Sequence, residues 1–459
     1  QIKILIISYS DLYGGASISG YNLHSALLKA GHISTMVVNR KLSSNNSVVE
    51  INGKVKKYFQ DCISGGINYP FSYRIGKLVR AGYNLFYKIL KSTGREIFYY
   101  PASKNILSII NYKPDIIHLH HIYPDYFDIN LLKIWHEDCK IVITLHDFWI
   151  FTGHCGLPLD CNRWLDNCGN CPHLDYSPSV PIDKTYKNKR YKDNYFKSLK
   201  INYISPSEWV YNEVQKSGKD LNQFGMHRVI KNAIDTTIFK PGNKFNNRLF
   251  FNLPQSDFII MVCAVGFKYN YCKDIETVLA AFNKIKCDYK NRISKQNFSL
   301  LIVGEKSENY IDYKQEDVFF MGSIINGKKL ASLYQTADIF IHSSSIETWG
   351  LTTSEALSTG LPVLATYVGG LKEQVKGYCI DDTDKSMKKI NNYSIEEANG
   401  IMFERENVKM LSESIKFIYQ NRDVYELLSN NARIFAEKYL SIDLRIKDYI
   451  KYYSQLINI

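Results

Sequence analysis

Two glutamates, Glu347 and Glu355, flank the stretch Thr-Trp-Gly350-Leu351-Thr352-Thr353-Ser, with seven residues between them. A carboxylate accepts hydrogen bonds from hydroxyl groups, and free backbone amides hold anions. The spacing predicts Glu347 in a loop after the strand Asp338-Ile-Phe-Ile-His-Ser, with Gly350 allowing a tight turn. Leu351, Thr352, Thr353 and Ser354 then form a first helical turn, whose unsatisfied N–H groups and positive end suit a diphosphate. Glu355 falls about one turn further in, within reach of a sugar hydroxyl beside that phosphate. Gly360 ends the helix and Pro362-Val-Leu-Ala-Thr reads as the next strand. Taken alone, the pair also fits a capped surface helix with two unrelated glutamates.

Other residues carry chemistry in the first half. Gly14-Gly15-Ala16 follows the first apolar run and opens a helix, so its amides can approach an anion closely. The pattern lacks G-x-G-x-x-G and is no dinucleotide fingerprint. Asp115-Ile-Ile-His-Leu-His120 and Ile141-Val-Ile-Thr-Leu-His146 are two strands that each end in histidine. Ligands sit at such strand ends in open α/β sheets, although a hydrogen-bonded structural histidine fits equally. Cys155, Cys161, Cys168 and Cys171 lie within seventeen residues and end in C-x-x-C. They satisfy the ligand count of a structural Zn²⁺ site, with His154 and His173 as neighbouring substitutes. Two disulfides would instead need an oxidising compartment. Basic residues do not cluster around these cysteines, which argues against a nucleic-acid-binding knuckle.

The elements that must position these groups alternate along all 459 residues. Ile2–Ser8, a helix near 19–30 and His32–Asn39 give βαβ patterning, hence a parallel doubly wound sheet. The pattern restarts at Phe258–Gly266, after a polar linker at 242–248, so two domains are expected. Residues 376–398 read as a polar, irregular insertion. Hydrophobic content of 45% and charged content of 22% are those of a folded protein. No run of about twenty apolar residues spans a membrane, and Gln1–Ser8 reads as a buried strand rather than a signal peptide. A cytoplasmic protein with reduced cysteines is the expectation. The net charge of +12 suggests an anionic partner. A basic amphipathic stretch, Arg74–Lys91, fits either a core-facing helix or an interfacial one giving peripheral contact with the inner face of a membrane.

The string around Glu347 and Glu355, continued by Tyr367-Val-Gly369-Gly370-Leu-Lys-Glu373, resembles the E-x7-E region of retaining GT-B glycosyltransferases of family 4. Asn232-Ala-Ile-Asp235-Thr-Thr-Ile-Phe239-Lys-Pro241 resembles that family's Asn-Gly-(Val/Ile)-Asp string, and Gly266 to Lys273 its Gly-Arg-Leu…Lys-Gly segment. His146-Asp-Phe-Trp149 through Cys171-Pro resembles the colanic-acid and exopolysaccharide branch. The resemblance implies two Rossmann-like domains facing across a cleft: an acceptor-side domain at 1–241, a donor domain at 242–437, and a C-terminal helix at 438–459 returning to the first. It implies that Lys273 grips the donor pyrophosphate, with Lys268 standing where the family has an arginine. Glu355 would bind the ribose, Glu347 and the amides after it the donor sugar, and Gly14, Gly15 and Ala16 would face the diphosphate. One of His120 and His146 would lie beside the reacting sugar. The reaction would transfer a sugar from a UDP- or GDP-linked donor to a glycan or lipid-linked acceptor in polysaccharide biosynthesis. It needs no catalytic metal; the Asp382-Thr-Asp384 triplet reads as a chance match on a solvated loop. No nucleic-acid partner is expected. A catalytically silent assembly partner and a GT-B sugar-nucleotide epimerase are the alternatives.

Overall fold

The computed structural model describes residues 1–51, 85–86, 88–96, 98, 100–122, 126–267, 270–290, 297–309, 315–380, 387–389 and 395–458. Lys268, the Asp382-Thr-Asp384 triplet and most of the basic stripe at 74–84 lie outside the described residues. The chain divides into two compact units.

The first unit comprises Gln1–Ser205, Tyr211–Val229 and Ile450–Ile459. Its strands are β1 (Lys3–Ser10), β2 (Ile33–Arg40), β3 (Val48–Glu50), β4 (Ile116–Leu119), β5 (Lys140–Thr144), β6 (Ile201–Ser205) and β7 (His227–Val229). They pair in parallel in the order β3-β2-β1-β4-β5-β6-β7. Ile4 to Ile7 of β1 have no exposed surface. Such an unbroken apolar run suits a central parallel strand covered on both faces.

The second unit comprises Pro206–Val210 and Ile230–Tyr449. It holds β8 (Phe258–Cys263), β9 (Phe298–Val303), β10 (Val318–Phe320), β11 (Ile339–His342), β12 (Val363–Thr366), β13 (Gly377–Ile380), β14 (Met387–Lys389) and β15 (Gly400–Phe403). The order is β10-β9-β8-β11-β12-β15-β13-β14, parallel except for the antiparallel β13–β14 edge. The helices Ile275–Lys290 and Val408–Gln420 bury Val278, Phe282, Leu411 and Ile415 with Ile260, Leu300 and Ile302 of the sheet.

Two segments differ from their reading in sequence. The expected linker contains a helix, Lys244–Phe250, whose first turn is capped by the Asn243 side chain accepting from Asn246 N at 2.9 Å. Arg248 is buried there and donates to Asp338, a partner ninety residues on at 2.7 Å. The insertion at 376–398 contributes β13 and β14, because Gly377-Tyr378 adds in parallel to β15 and Tyr378-Cys379-Ile380 pairs with β14. In both sheets the strand order reverses beside the first strand, at β1/β4 and at β8/β11. Crevices for ligands form at the carboxyl ends of strands at such points.

Candidate functional site

In the second unit, the loops leaving β8 and β11 are stitched together at that reversal. Lys273 pairs with Ser344 through an isolated antiparallel bridge, and Ser345 N donates to Cys272 O at 2.9 Å. The Lys273 ammonium therefore projects into a fixed nest. It donates to Glu347 Oε2 at 2.7 Å, to Ser344 Oγ at 3.0 Å and to His342 Nε2 at 3.2 Å. Burial works to raise the Glu347 carboxyl, but the Lys273 ammonium beside it outweighs this and holds the group below the usual carboxylate range.

Gly350 precedes the helix Leu351–Ser358, and no side chain caps the amides of Leu351, Thr352 and Thr353. The buried side chain of Gln374 clamps this turn. Its Oε1 accepts from Gly350 N and its Nε2 donates to Gly350 O, both at 2.9 Å, and Nε2 also reaches Ser354 Oγ at 2.8 Å. The Gly369-Gly370 pair backs the Glu347 loop. A Cβ on Gly369 would meet Glu347 O at 2.0 Å, and one on Gly370 would meet Thr348 O at 2.2 Å. Only glycine lets the two backbones approach this closely.

Glu355 lies buried in that helix and accepts from Tyr334 Oη at 2.9 Å. Burial raises its carboxyl to about 7, against the opposing pull of the Tyr334 bond. Glu347 and Glu355 thus share a residue type while their surroundings shift their protons in opposite directions. Glu373 accepts from Trp209 N at 2.8 Å and Glu208 N at 3.2 Å at the start of the helix Glu208–Lys216.

In the first unit, Gly14 sits at φ +83° before the helix Gly15–Lys29, with Gly15 and Ala16 in its first turn. His120 and His146 follow β4 and β5, and the structure brings them together: His120 Nδ1 lies 2.9 Å from His146 Nε2. A Cβ on Gly20 would meet His120 Cγ at 3.1 Å, so that helix packs directly on the ring. Burial holds both imidazoles well below their ordinary value, which leaves them neutral. One ring of the pair then donates and the other accepts. His118, beneath them, bonds Tyr453 Oη at 2.6 Å and Thr144 Oγ1 at 2.7 Å.

Cys155, Cys161, Cys168 and Cys171 carry free thiols. Among the described residues no three His, Cys, Asp or Glu groups are arranged to hold an ion. Cys171 Sγ lies instead 3.5 Å from His154 Nε2. Burial pushes the Cys155 thiol up to about 12 and that of Cys168 to about 11, which favours the protonated forms. Beside this loop Lys192 is fully buried, 2.7 Å from Glu96 Oε2 and 4.2 Å from the centre of a Trp149 ring. Trp149 Nε1 donates to Glu96 Oε1 at 2.5 Å. Of the basic stripe, Leu85, Phe86 and Ile89 are exposed. No helix among the described residues is long and apolar enough to cross a membrane.

Residues such as His342, Gln374 and Tyr334 carry no local motif, and each has a partner about twenty or more residues away. Their one signal in sequence is polarity at positions inside apolar elements.

Residues 250–435 match the family described as Glycosyl transferases group 1. The putative colanic acid biosynthesis glycosyl transferase WcaC of Escherichia coli is 25% identical over 281 residues, which cover 57% of this chain and 62% of that protein. The O-antigen biosynthesis glycosyltransferase WclY of the same organism is 23% identical over 325 residues, covering 67% of this chain and 74% of that protein. Among solved structures, sucrose-phosphate synthase from Thermosynechococcus elongatus superposes with a TM-score of 0.65 at 18% identity, over the full length of both chains. HepE of Anabaena, solved with UDP and glucose, gives 0.62 at 14% identity over 99% of this chain and 100% of that one. The fold is the GT-B one, with two Rossmann-like units.

Proposed function

We propose that this chain, whose residues 250–435 match the glycosyl transferases group 1 family, is a glycosyltransferase of polysaccharide biosynthesis. It moves a hexosyl group, with retention, from a UDP- or GDP-linked donor to a glycan or lipid-linked glycan acceptor. One observation carries this reading: Lys273, Glu347 and the uncapped start of the helix Leu351–Ser358 meet where strand order reverses at β8/β11. The names of the relatives, which concern colanic acid and O-antigen, support the pathway class.

In this reading Lys273 and the amides of Leu351, Thr352 and Thr353 bind the diphosphate. Glu355 takes the ribose hydroxyls, and Glu347 those of the donor sugar. Gly14, Gly15 and Ala16 supply further amides, and His146, paired with His120, stands beside the reacting sugar. No side chain need act as nucleophile. The bond from the anomeric carbon to the leaving phosphate oxygen breaks as the acceptor oxygen bonds to the same face. The acceptor proton passes to the departing phosphate, and Lys273 with the helix amides stabilises the charge that develops there.

The test is a thermal-shift screen with UDP, GDP and ADP, followed by sugar transfer from the matching donor. Binding to the folded state raises the melting temperature by mass action. We expect one nucleotide to shift it, and Lys273→Met and Glu355→Ala to lower kcat/KM about a hundredfold or more, close to 3 kcal/mol. Absence of any shift, or near-normal transfer by both variants, would overturn the proposal.

A further inference from the structure

His342 ends β11 with almost no exposed surface and touches three groups of the loops described above. Its Nε2 lies 3.2 Å from Lys273 Nζ and 3.3 Å from Glu347 Oε2, and its Nδ1 lies 2.7 Å from Thr353 Oγ1. An ammonium only donates. Glu347 Oε2 only accepts, but Lys273 already donates to it at 2.7 Å, so the shorter Lys273 contact makes Nε2 the acceptor and leaves the ring proton on Nδ1, where it donates to the Thr353 hydroxyl. Burial, then the Lys273 charge, hold the imidazole below its ordinary value against the pull of Glu347, so the neutral ring this arrangement needs is the one present. The ring is also locked from above. A Cβ on Gly350 would meet His342 Cε1 at 2.8 Å, so the turn opening the helix lies directly on it.

We propose that His342 is a positioning residue for donor binding: a neutral imidazole, held through Nδ1 by Thr353, that fixes the Lys273 ammonium at the start of the helix Leu351–Ser358. Lysine has a flexible four-carbon stem and acts on phosphate as a point charge, so the place of Nζ decides its grip. Glu347 supplies attraction, Ser344 a second contact, and His342 a directional third that ties Nζ to the helix. The inference rests on Lys273 being a diphosphate ligand.

Two substitutions separate the two ends of the ring. Glutamine carries its amide near the place of Nε2 and can still accept from Lys273, but it abandons Thr353. Asparagine carries its amide near Nδ1 and can still donate to Thr353, but it abandons Lys273. With whichever of UDP or GDP binds the unmodified protein, His342→Asn should weaken binding about tenfold or more, while His342→Gln stays within about threefold. Equal losses, a larger loss in the glutamine variant, or no loss in either would overturn the proposal. Thr353→Val covers the case in which either variant fails to fold. It keeps the imidazole but removes the hydroxyl that anchors Nδ1, and should weaken binding at least about threefold; unchanged affinity would count against the proposal. Lys273→Met separates the premise from the inference. If that variant binds nucleotide normally, the reading of Lys273 falls. If it loses binding while His342→Asn does not, only the role of His342 falls.

Discussion

Glu347 and Glu355 are both buried, yet their neighbours drive their protons in opposite directions. Glu347 has an ammonium at 2.7 Å, whereas Glu355 has a phenol, Tyr334, and apolar surroundings. The folded chain therefore holds the Glu355 proton more tightly than the unfolded chain, between its ordinary value of 4.5 and about 7. The native state binds more protons in that window, so this contribution to stability is complete below 4.5 and is lost as pH rises through 7. Its full size is on the order of 3 kcal/mol. Glu355→Gln should remove that slope, so the variant gains on the native protein from pH 5 to pH 8 in denaturant unfolding of the second unit. Parallel curves for the two proteins would contradict the shift. If ribose hydroxyls take up the carboxylate, nucleotide binding near pH 7 should also release protons, seen as a buffer-dependent heat in calorimetry. The seven-residue spacing makes both glutamates legible in sequence. Their charge states are not, because Tyr334 and Lys273 reach them only through the fold.

At the scale of elements, the helix start at Leu351 and the Val368-Gly369-Gly370 string are both readable locally, and the structure supplies the reason they occur together. The glycines let one loop lie against the backbone of the other, and Gln374 then closes the turn at Gly350. Gln374→Leu should leave the Gly350 amide buried without its partner, while the carbonyl keeps Ser354 N, at a cost of about 1–3 kcal/mol. A melting temperature unchanged from the native protein would show that the clamp is dispensable. Nothing near Gln374 in sequence signals this role, since its partners lie twenty and twenty-four residues back. The helix Lys244–Phe250 is hidden for the same reason: its polar composition reads as linker, while the ion pair of Arg248 with Asp338 comes from far along the chain.

Over the whole molecule, alternating apolar runs are enough to read two parallel sheets, because strands buried on both faces announce themselves without any partner. Sheet order and the edge hairpin of β13 and β14 depend on pairing and are not written in any one segment. The formal charge of +12 is likewise a property of the full chain. Lys189 and Lys192 beside the cysteine loop are buried and paired with Asp193 and Glu96, so we expect no retention of a DNA or RNA oligonucleotide at about 0.15 M salt in a filter-binding assay, where exposed charges are screened beyond roughly 8 Å. Retention there would make nucleic acid a partner after all.

The first unit buries the charge pair of Glu96 with Lys192 against the face of Trp149. Losing either end strands the other, and Lys192→Met alone should cost about 3–5 kcal/mol. Replacing both by apolar residues of similar volume can be nearly neutral. The pair therefore constrains how this sequence can drift: single changes at 96 or 192 should be purged, while paired changes pass. Across related chains the two positions should be inherited as a unit, charged together or apolar together.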